Sequence, residues 1–273
     1  MPSAALSAIT PTEFITLVGV GLLAGALGGL LGIGGSIVMI PALTLLFRHD
    51  QHVSQAAAMI VNVFVTVPAV LRHQRARAVP WDLVGRMLPA GLVFIIVGVE
   101  MSNVLNGRSL MRIFGVFLLY VIFVNVGKVI SGHVSDVENG NERSWARATL
   151  VGGITGFAAG LLGIGGGIIA VPLLHRVTNL PLRRCIAASA AMMCVTATVG
   201  AVRKNLTLSQ LTDAAGQALD VQESLAIAAC LAPTAIIGGL LGASLTHVLP
   251  LKWINIVLLI LLALAAAKFL GLF

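Results

Sequence analysis

The sequence predicts an all-α polytopic membrane protein made of two inverted-topology repeats, with eight to ten apolar segments that include broken or half helices. Three observations carry this expectation. Of 273 residues 58% are hydrophobic and only 10% are charged, whereas an ordinary globular domain is about 25% charged. Seventeen Lys+Arg and 10 Asp+Glu are too few to coat a soluble domain of this length. Uncharged runs of membrane-spanning length follow one another along the chain, and one glycine-rich block occurs twice.

The net charge of +7 does not point to nucleic acid. The basic residues sit in short stretches between apolar runs, where they set topology by the positive-inside rule. No Lys/Arg tract is interleaved with aromatics, so a nucleic-acid partner is not expected. Cys185, Cys194 and Cys230 lie inside apolar runs without a CxxC spacing, which favours small core residues over a disulfide framework or a metal cluster. Residues 1–12 contain no Lys or Arg, so the apolar stretch from Phe14 reads as a first membrane segment and not as a cleaved signal.

The uncharged runs are 14–47, 51–71, 87–99, 113–127, 148–175, 185–202, 224–251 and 253–267. A crossing needs about 20 apolar residues, which the shorter runs reach with flanking residues such as Leu83, Val84, Leu110 and Val129. Two runs are too long. As straight helices 14–47 would extend about 51 Å and 148–175 about 42 Å, so each is expected to break. Both hold a glycine cluster near the middle and a proline shortly after it.

Gly29-Leu30-Leu31-Gly32-Ile33-Gly34-Gly35 recurs letter for letter as Gly160-Leu161-Leu162-Gly163-Ile164-Gly165-Gly166, an offset of 160 − 29 = 131. At that offset 12 of the 23 positions from Gly19 to Pro41 match those from Leu150 to Pro172. Gly21, Gly25 and Gly29 correspond to Gly152, Gly156 and Gly160, two GxxxG ladders of the kind that bring helix backbones together in lipid. Arg72 corresponds to Arg203 and Asp82 to Asp213. The chain therefore divides into a first transmembrane repeat at 12–130, a polar linker at 131–147 and a second repeat at 148–271. Internal duplication of this kind is a construction feature of many transporters.

Splitting both long runs gives five segments per copy, and an odd number inverts the second copy. Re-entrant hairpins with three crossings per copy would also invert it, whereas a broken helix that crosses once would leave the copies parallel. With Arg72–Arg86 inside, the inner stretches hold Arg72, Arg75, Arg77, Arg86, Lys128, Arg143, Arg147, Arg176, Arg183, Arg184 and Lys252. The outer ones hold Arg48, Arg108, Arg112, Arg203, Lys204 and Lys268. Eleven against six favours this orientation, with both termini outside.

The glycine blocks fail as nucleotide motifs. Ile37 and Ile168 stand where a dinucleotide fingerprint needs its third glycine, and neither block ends in GK[ST]. No cofactor is expected. An unwound segment at membrane depth is tolerated only against protein or water, and the half-helix after it would point its amino end, with unpaired N–H groups, into the membrane. Two such ends suit an anion near the midplane. Gly34, Gly35, Ser36, Gly165, Gly166 and Gly167 are accordingly candidate substrate-binding residues.

Polar residues within apolar runs supply the remaining candidates. Asn62 and Thr66 share one helix face, Thr196 and Thr198 lie at similar depth in the second copy, and Ser189 has Ala58 as its counterpart. Arg72 and Arg203 suit an anion by charge and bidentate geometry, against the alternative of snorkelling to the headgroups. Glu100, His175 and His247 are weaker candidates for carrying a coupling proton. An enzyme is not expected, because HExxH and GxSxG are both absent.

The duplicated GLLGIGG(S/G)-I-x-x-x-P block at 29–41 and 160–172, with a basic residue ending the helix after each copy, resembles the TauE/SafE-like sulfite exporters, also called the four-toluene-sulfonate uptake family. The resemblance covers essentially the whole chain. It implies a bacterial inner-membrane transporter of small sulfur-containing anions, sulfite or organosulfonates, with a proton or Na⁺ as a possible coupling ion. The family commonly has a small residue followed by Ser in the third helix of each copy; here the second copy keeps Ser189 and the first has Ala58.

Overall fold

The computed structural model describes residues 11–31, 34–131, 145–213, 215–245 and 251–272. Most of the linker, Gly32, Ile33, Arg143 and His247 lie outside the described residues. Ten helices are found among them: α1 (Pro11–Leu31), α2 (Ser36–Leu45), α3 (Gln51–Arg75), α4 (Trp81–Val104), α5 (Gly107–Ser131), α6 (Trp145–Leu162), α7 (Gly167–Thr178), α8 (Leu182–Leu208), α9 (Val221–Leu245) and α10 (Leu251–Phe269). Among the described residues the only β-type pairing is an isolated bridge between Thr212 and Ala218. Seven helices, α1, α3, α4, α5, α6, α8 and α9, are long and apolar enough to cross a membrane. The protein is an all-α polytopic membrane protein.

Helix boundaries follow local chemistry. Asp50 caps α3 by accepting from the His52 N–H at 2.7 Å. Asn179, in the left-handed region at φ 52°, ends α7. Trp145–Arg147, assigned to the linker by its polarity, already belongs to α6.

Side-by-side residues give the helix directions. A methyl built on Gly21 would meet Thr234, and one on Gly25 would meet Ala235, so α1 runs parallel to α9. In turn α9 parallels α3, with Glu223 beside His49 and Gly239 beside Val65. The register Gly152–Met87, Gly156–Gly91 and Gly160–Ile95 makes α6 parallel to α4. Gly91 beside Met192 and Asn103 bonded to Thr207 make α8 parallel to α4 as well. In contrast α3 and α8, the two most enclosed helices, cross the centre antiparallel: His52 meets Lys204, while Met59 meets Gly200.

The first helix of each copy thus lies along the fourth helix of the other. Glycine makes both seams. A methyl on Gly25 would overlap the Ala235 carbonyl, and methyls on Gly152, Gly156 and Gly160 would overlap those of Met87, Gly91 and Ile95. Lipid supplies no hydrophobic force to press helices together, so this backbone contact and its dispersion energy hold the seams. The fifth helices meet each other, with Phe114 edge-on to Phe269 at 5.7 Å between ring centroids. The cysteines are free, Cys185 and Cys230 buried and Cys194 partly so.

Replacing Gly156 by Ala is expected to lower thermal stability in detergent, by about 1–3 kcal/mol for forced overpacking. Gly85→Ala, on the same pair of helices but with open space around it, is expected to be neutral or stabilising by up to about 1 kcal/mol. Thermal unfolding of the two variants side by side checks the contrast.

Candidate functional site

Both long apolar runs turn back on themselves. Gly28 lies against Gly34 and Gly35, and Gly35 against Ala24, so α2 starts beside the second half of α1. From there Ser36 meets Asn62 in the middle of α3, whereas Thr44 meets Gln51 and Ser54 at the start of α3. Helix α2 therefore runs opposite to α3 and to α1. In the second copy Gly165 lies against Met193 in the middle of α8, and His175, near the other end of α7, contacts the Leu180 carbonyl just ahead of α8. Each run is a hairpin that enters and leaves on one side. Because α3 and α8 are antiparallel, the two hairpins come from opposite sides, and their tips meet in the middle.

The local cause of the turns is glycine in the left-handed region. Gly163 (φ 74°) ends α6 by donating its N–H to the Ala159 carbonyl at 2.9 Å, the αL type of helix termination. Gln55 Nε2 reaches across from α3 to the Leu161 carbonyl at 3.2 Å and satisfies another group freed by the break. Gly34 and Gly165, equivalent positions, sit at φ 77° and 70°, which a residue with a Cβ adopts only at a cost. The next pair differs: Gly35 is in the right-handed region at φ −82°, Gly166 in the left-handed at φ 84°.

Neither half-helix is capped by a side chain. Val38 and Met39 donate to the Gly35 carbonyl, Ile169 and Ala170 to that of Gly166. This leaves the earlier N–H groups, those of Ser36 and Ile37 and of Gly167 and Ile168, without helical partners. Each end carries roughly half a positive charge, and the seam from Gln51 to Thr66 beside them holds no carboxylate.

Asn62 and Met193 are themselves related by the repeat offset, 62 + 131 = 193, and both touch Gly34 and Gly165. Asn62 Nδ2 donates to Ser36 Oγ at 3.0 Å, so the Ser36 hydroxyl proton is available to a ligand. Asn62 Oδ1 and the Ser189 hydroxyl are buried without a partner, as are Gln51 Nε2 and Gln55 Oε1. Gln51, Ser54, Gln55, Asn62 and Thr66 form a buried polar seam down α3 that leads from its first turn to the glycine tips. Three of the four orphan atoms are amide groups on that seam, and buried polar atoms without a partner are places for water or a ligand.

The structure gathers Gly34, Gly35, Ser36, Asn62, Gly165, Gly166 and Gly167 at one place. Thr66 and Ser189 are buried on the helices that flank it; Thr66 spends its hydroxyl proton on the Asn62 carbonyl at 2.7 Å. Thr196 is likewise bonded back to Met192, and Thr198 is exposed. Arg72 and Arg203 are placed elsewhere. Each stands ten residues beyond its central position, about 15 Å along the helix, and the antiparallel helices carry them to opposite ends of the bundle. Arg72 is exposed, and Arg203 pairs with Glu100 at 2.5 Å on the surface. Gln55 and Met193 were not singled out by sequence, although the offset alone pairs Met193 with Asn62.

A family model and similar proteins both point to a membrane transporter. The family model described as Sulfite exporter TauE/SafE matches residues 17–269. A probable membrane transporter protein, YunE, of Bacillus subtilis is 24% identical, covering 94% of this chain and 97% of its own. A probable membrane transporter protein of Methanocaldococcus jannaschii is 30% identical over 68% of this chain and 70% of its own. The probable membrane transporter protein MamO of Paramagnetospirillum magneticum is 25% identical over 88% of this chain, which spans only 42% of MamO's length. No solved structure matches. Glycine hairpins, helix content and family model converge on one statement: the chain belongs to the TauE/SafE sulfite exporter family of membrane transporters.

Proposed function

We propose that the protein is a secondary transporter of small anions, sulfite or organosulfonates first, working by alternating access around the paired glycine tips in a bacterial inner membrane. The observation that carries this reading is the meeting of two uncapped half-helix amino ends, from opposite sides, against one amide side chain. Main-chain N–H groups from both copies, the Ser36 hydroxyl and the Asn62 amide form a donor set for a compact oxyanion. Among the described residues the tips hold no nucleophile paired with a base, which favours carriage over chemistry.

The two copies, 12–130 and 148–271, are read as inverted repeats. Support comes from the antiparallel α3 and α8 and from the parallel pairs α1–α9 and α4–α6. Charge supports a cytoplasmic assignment for the end of the bundle where α3 stops and α8 starts. Arg72, Arg75, Arg77, Arg86, Arg147, Arg176, Arg183 and Arg184 cluster there, against Arg48, Arg108, Arg112, Arg203, Lys204 and Lys268 at the other end.

Purified protein in liposomes is expected to exchange radiolabelled sulfite. Asn62→Ala is expected to slow exchange about 10-fold or more, the loss of one hydrogen bond to a charged ligand. Arg72→Ala is expected to leave the rate within about twofold, as an exposed charge remote from the ligand. Equal loss in both variants, or none in Asn62→Ala, would overturn the assignment of the site. In a background with its three cysteines changed to serine, a cysteine at Gln217 is expected to react with an impermeant maleimide from outside the cell. One at Asn179 is expected to react only after the membrane is opened.

A further inference from the structure

Lys204 is wholly buried within a helix of membrane-spanning length. From α8 it reaches His52 on α3 and Ser102 and Asn103 on α4. Its Nζ lies 3.0 Å from His52 Nδ1, 2.8 Å from Ser102 Oγ and 2.8 Å from Asn103 Oδ1. The roles in this cluster are fixed by its outer contacts. His52 Nε2 faces the Leu105 carbonyl at 3.1 Å, which only accepts, so Nε2 carries the imidazole proton and Nδ1 is an acceptor. Ser102 donates to the Val99 carbonyl and therefore accepts from Lys204. Asn103 donates its NH₂ to Thr207 and presents its oxygen inward.

The three N–H groups of an ammonium are thus met by three neutral acceptors, with no carboxylate among them. A second proton, on His52 Nδ1, would set two cations 3.0 Å apart with no acceptor between them. The pair holds one labile proton and no more. Four carboxylates lie around it. Asp50 accepts from the His52 main chain, and burial raises its carboxyl above the usual range. Glu100 faces the site paired to Arg203, Glu223 paired to His49, and Asp213 acts on Asp50 from the loop after α8.

Duplication does not account for this cluster. The equivalents of Lys204 and His52 at the repeat offset are 204 − 131 = 73 and 52 + 131 = 183. His73 is only partly buried at the end of α3, and Arg183 is exposed. Among the described residues the buried pair exists at one end of the bundle alone, and the polar seam of α3 begins next to it at Gln51.

We propose that Lys204 and His52 form the one-proton site through which anion movement is coupled to proton movement. This rests on the transport reading above. Protonated, the pair sets a positive charge at the head of the seam that descends to the glycine tips. Proton and anion then favour each other's binding, by an equal factor in both directions, and travel together.

The test uses liposomes holding a trapped pH dye and compares wild type with Lys204→Arg and Lys204→Met. Arginine keeps the charge but does not release a proton at any working pH; methionine keeps the bulk without the charge. Two quantities are read: exchange of labelled for unlabelled sulfite, which needs no net proton movement, and sulfite uptake against its gradient under an imposed pH difference. A proton carried by sulfite itself is common to all three proteins, so the difference between them reads the pair. Lys204→Arg, which retains the charge, is expected to exchange sulfite near the wild-type rate, and Lys204→Met, which lacks it, to exchange sulfite more slowly at low concentration; both are expected to lose pH-driven accumulation. Three results overturn the proposal while leaving the transport reading intact. They are a wild type that exchanges sulfite but ignores the pH difference, variants that still accumulate it, and a Lys204→Arg variant that loses exchange as well. A wild type that exchanges no sulfite overturns the transport reading, and the coupling role with it.

Discussion

Main-chain amides at membrane depth have no water to bond, and the rest of the molecule is arranged around that fact. At two places the chain leaves helical geometry far from either surface, and each departure strands donors and acceptors. At the second break the acceptor side is settled internally. Gly163 closes the Ala159 carbonyl and Gln55 takes that of Leu161. The donor side is left open. No side chain caps the start of α2 or of α7. A site that holds unpaired donors in a dry setting binds a compact anion more strongly than the same donors would in water. The break and the binding site are therefore one feature.

Keeping the tips in place is the task of helices that do not touch the ligand. Helix α3 supplies Asn62 to both tips and Gln55 to one, and α8 supplies Met193. Around this pair, glycine seams join α1 to α9 and α4 to α6, where backbones approach closely enough that a single methyl collides with a carbonyl. Such seams define distance and register at the same time, because the glycines recur every fourth residue on the contact face. Position at the centre is thus inherited from packing at the periphery.

Much of this was legible in the letters. Composition alone excludes a soluble fold, and the lengths of 14–47 and 148–175 require breaks, which fall at the glycine clusters where they were placed. Asn62 could be found because an amide is rare in a run such as Ala56–Val67. What the letters did not carry is which helices touch. That α1 lies on α9 and α6 on α4 depends on helix directions, which a linear pattern of apolar runs leaves open. The same gap misplaced the arginines: Arg72 and Arg203 share an alignment column, but antiparallel helices send that column to both surfaces. Lys204 was passed over because it follows Arg203 and reads as part of a basic helix end. One residue on a helix is a turn of about 100°, enough to put Arg203 in solvent and Lys204 in the core.

The exchange of partners between copies also has a consequence for how the chain is made. Helix α1 has its closest neighbour in α9, and Gly25 meets Ala235, a separation of 235 − 25 = 210 residues. At a synthesis rate of roughly 5–20 residues per second, the first helix waits about 10–40 s for the surface it fits. During that interval a glycine face shaped for another backbone is open to lipid and to any passing helix. The order of synthesis makes the first copy a kept-open half and the second its closure, so the molecule completes its first contact nearly last.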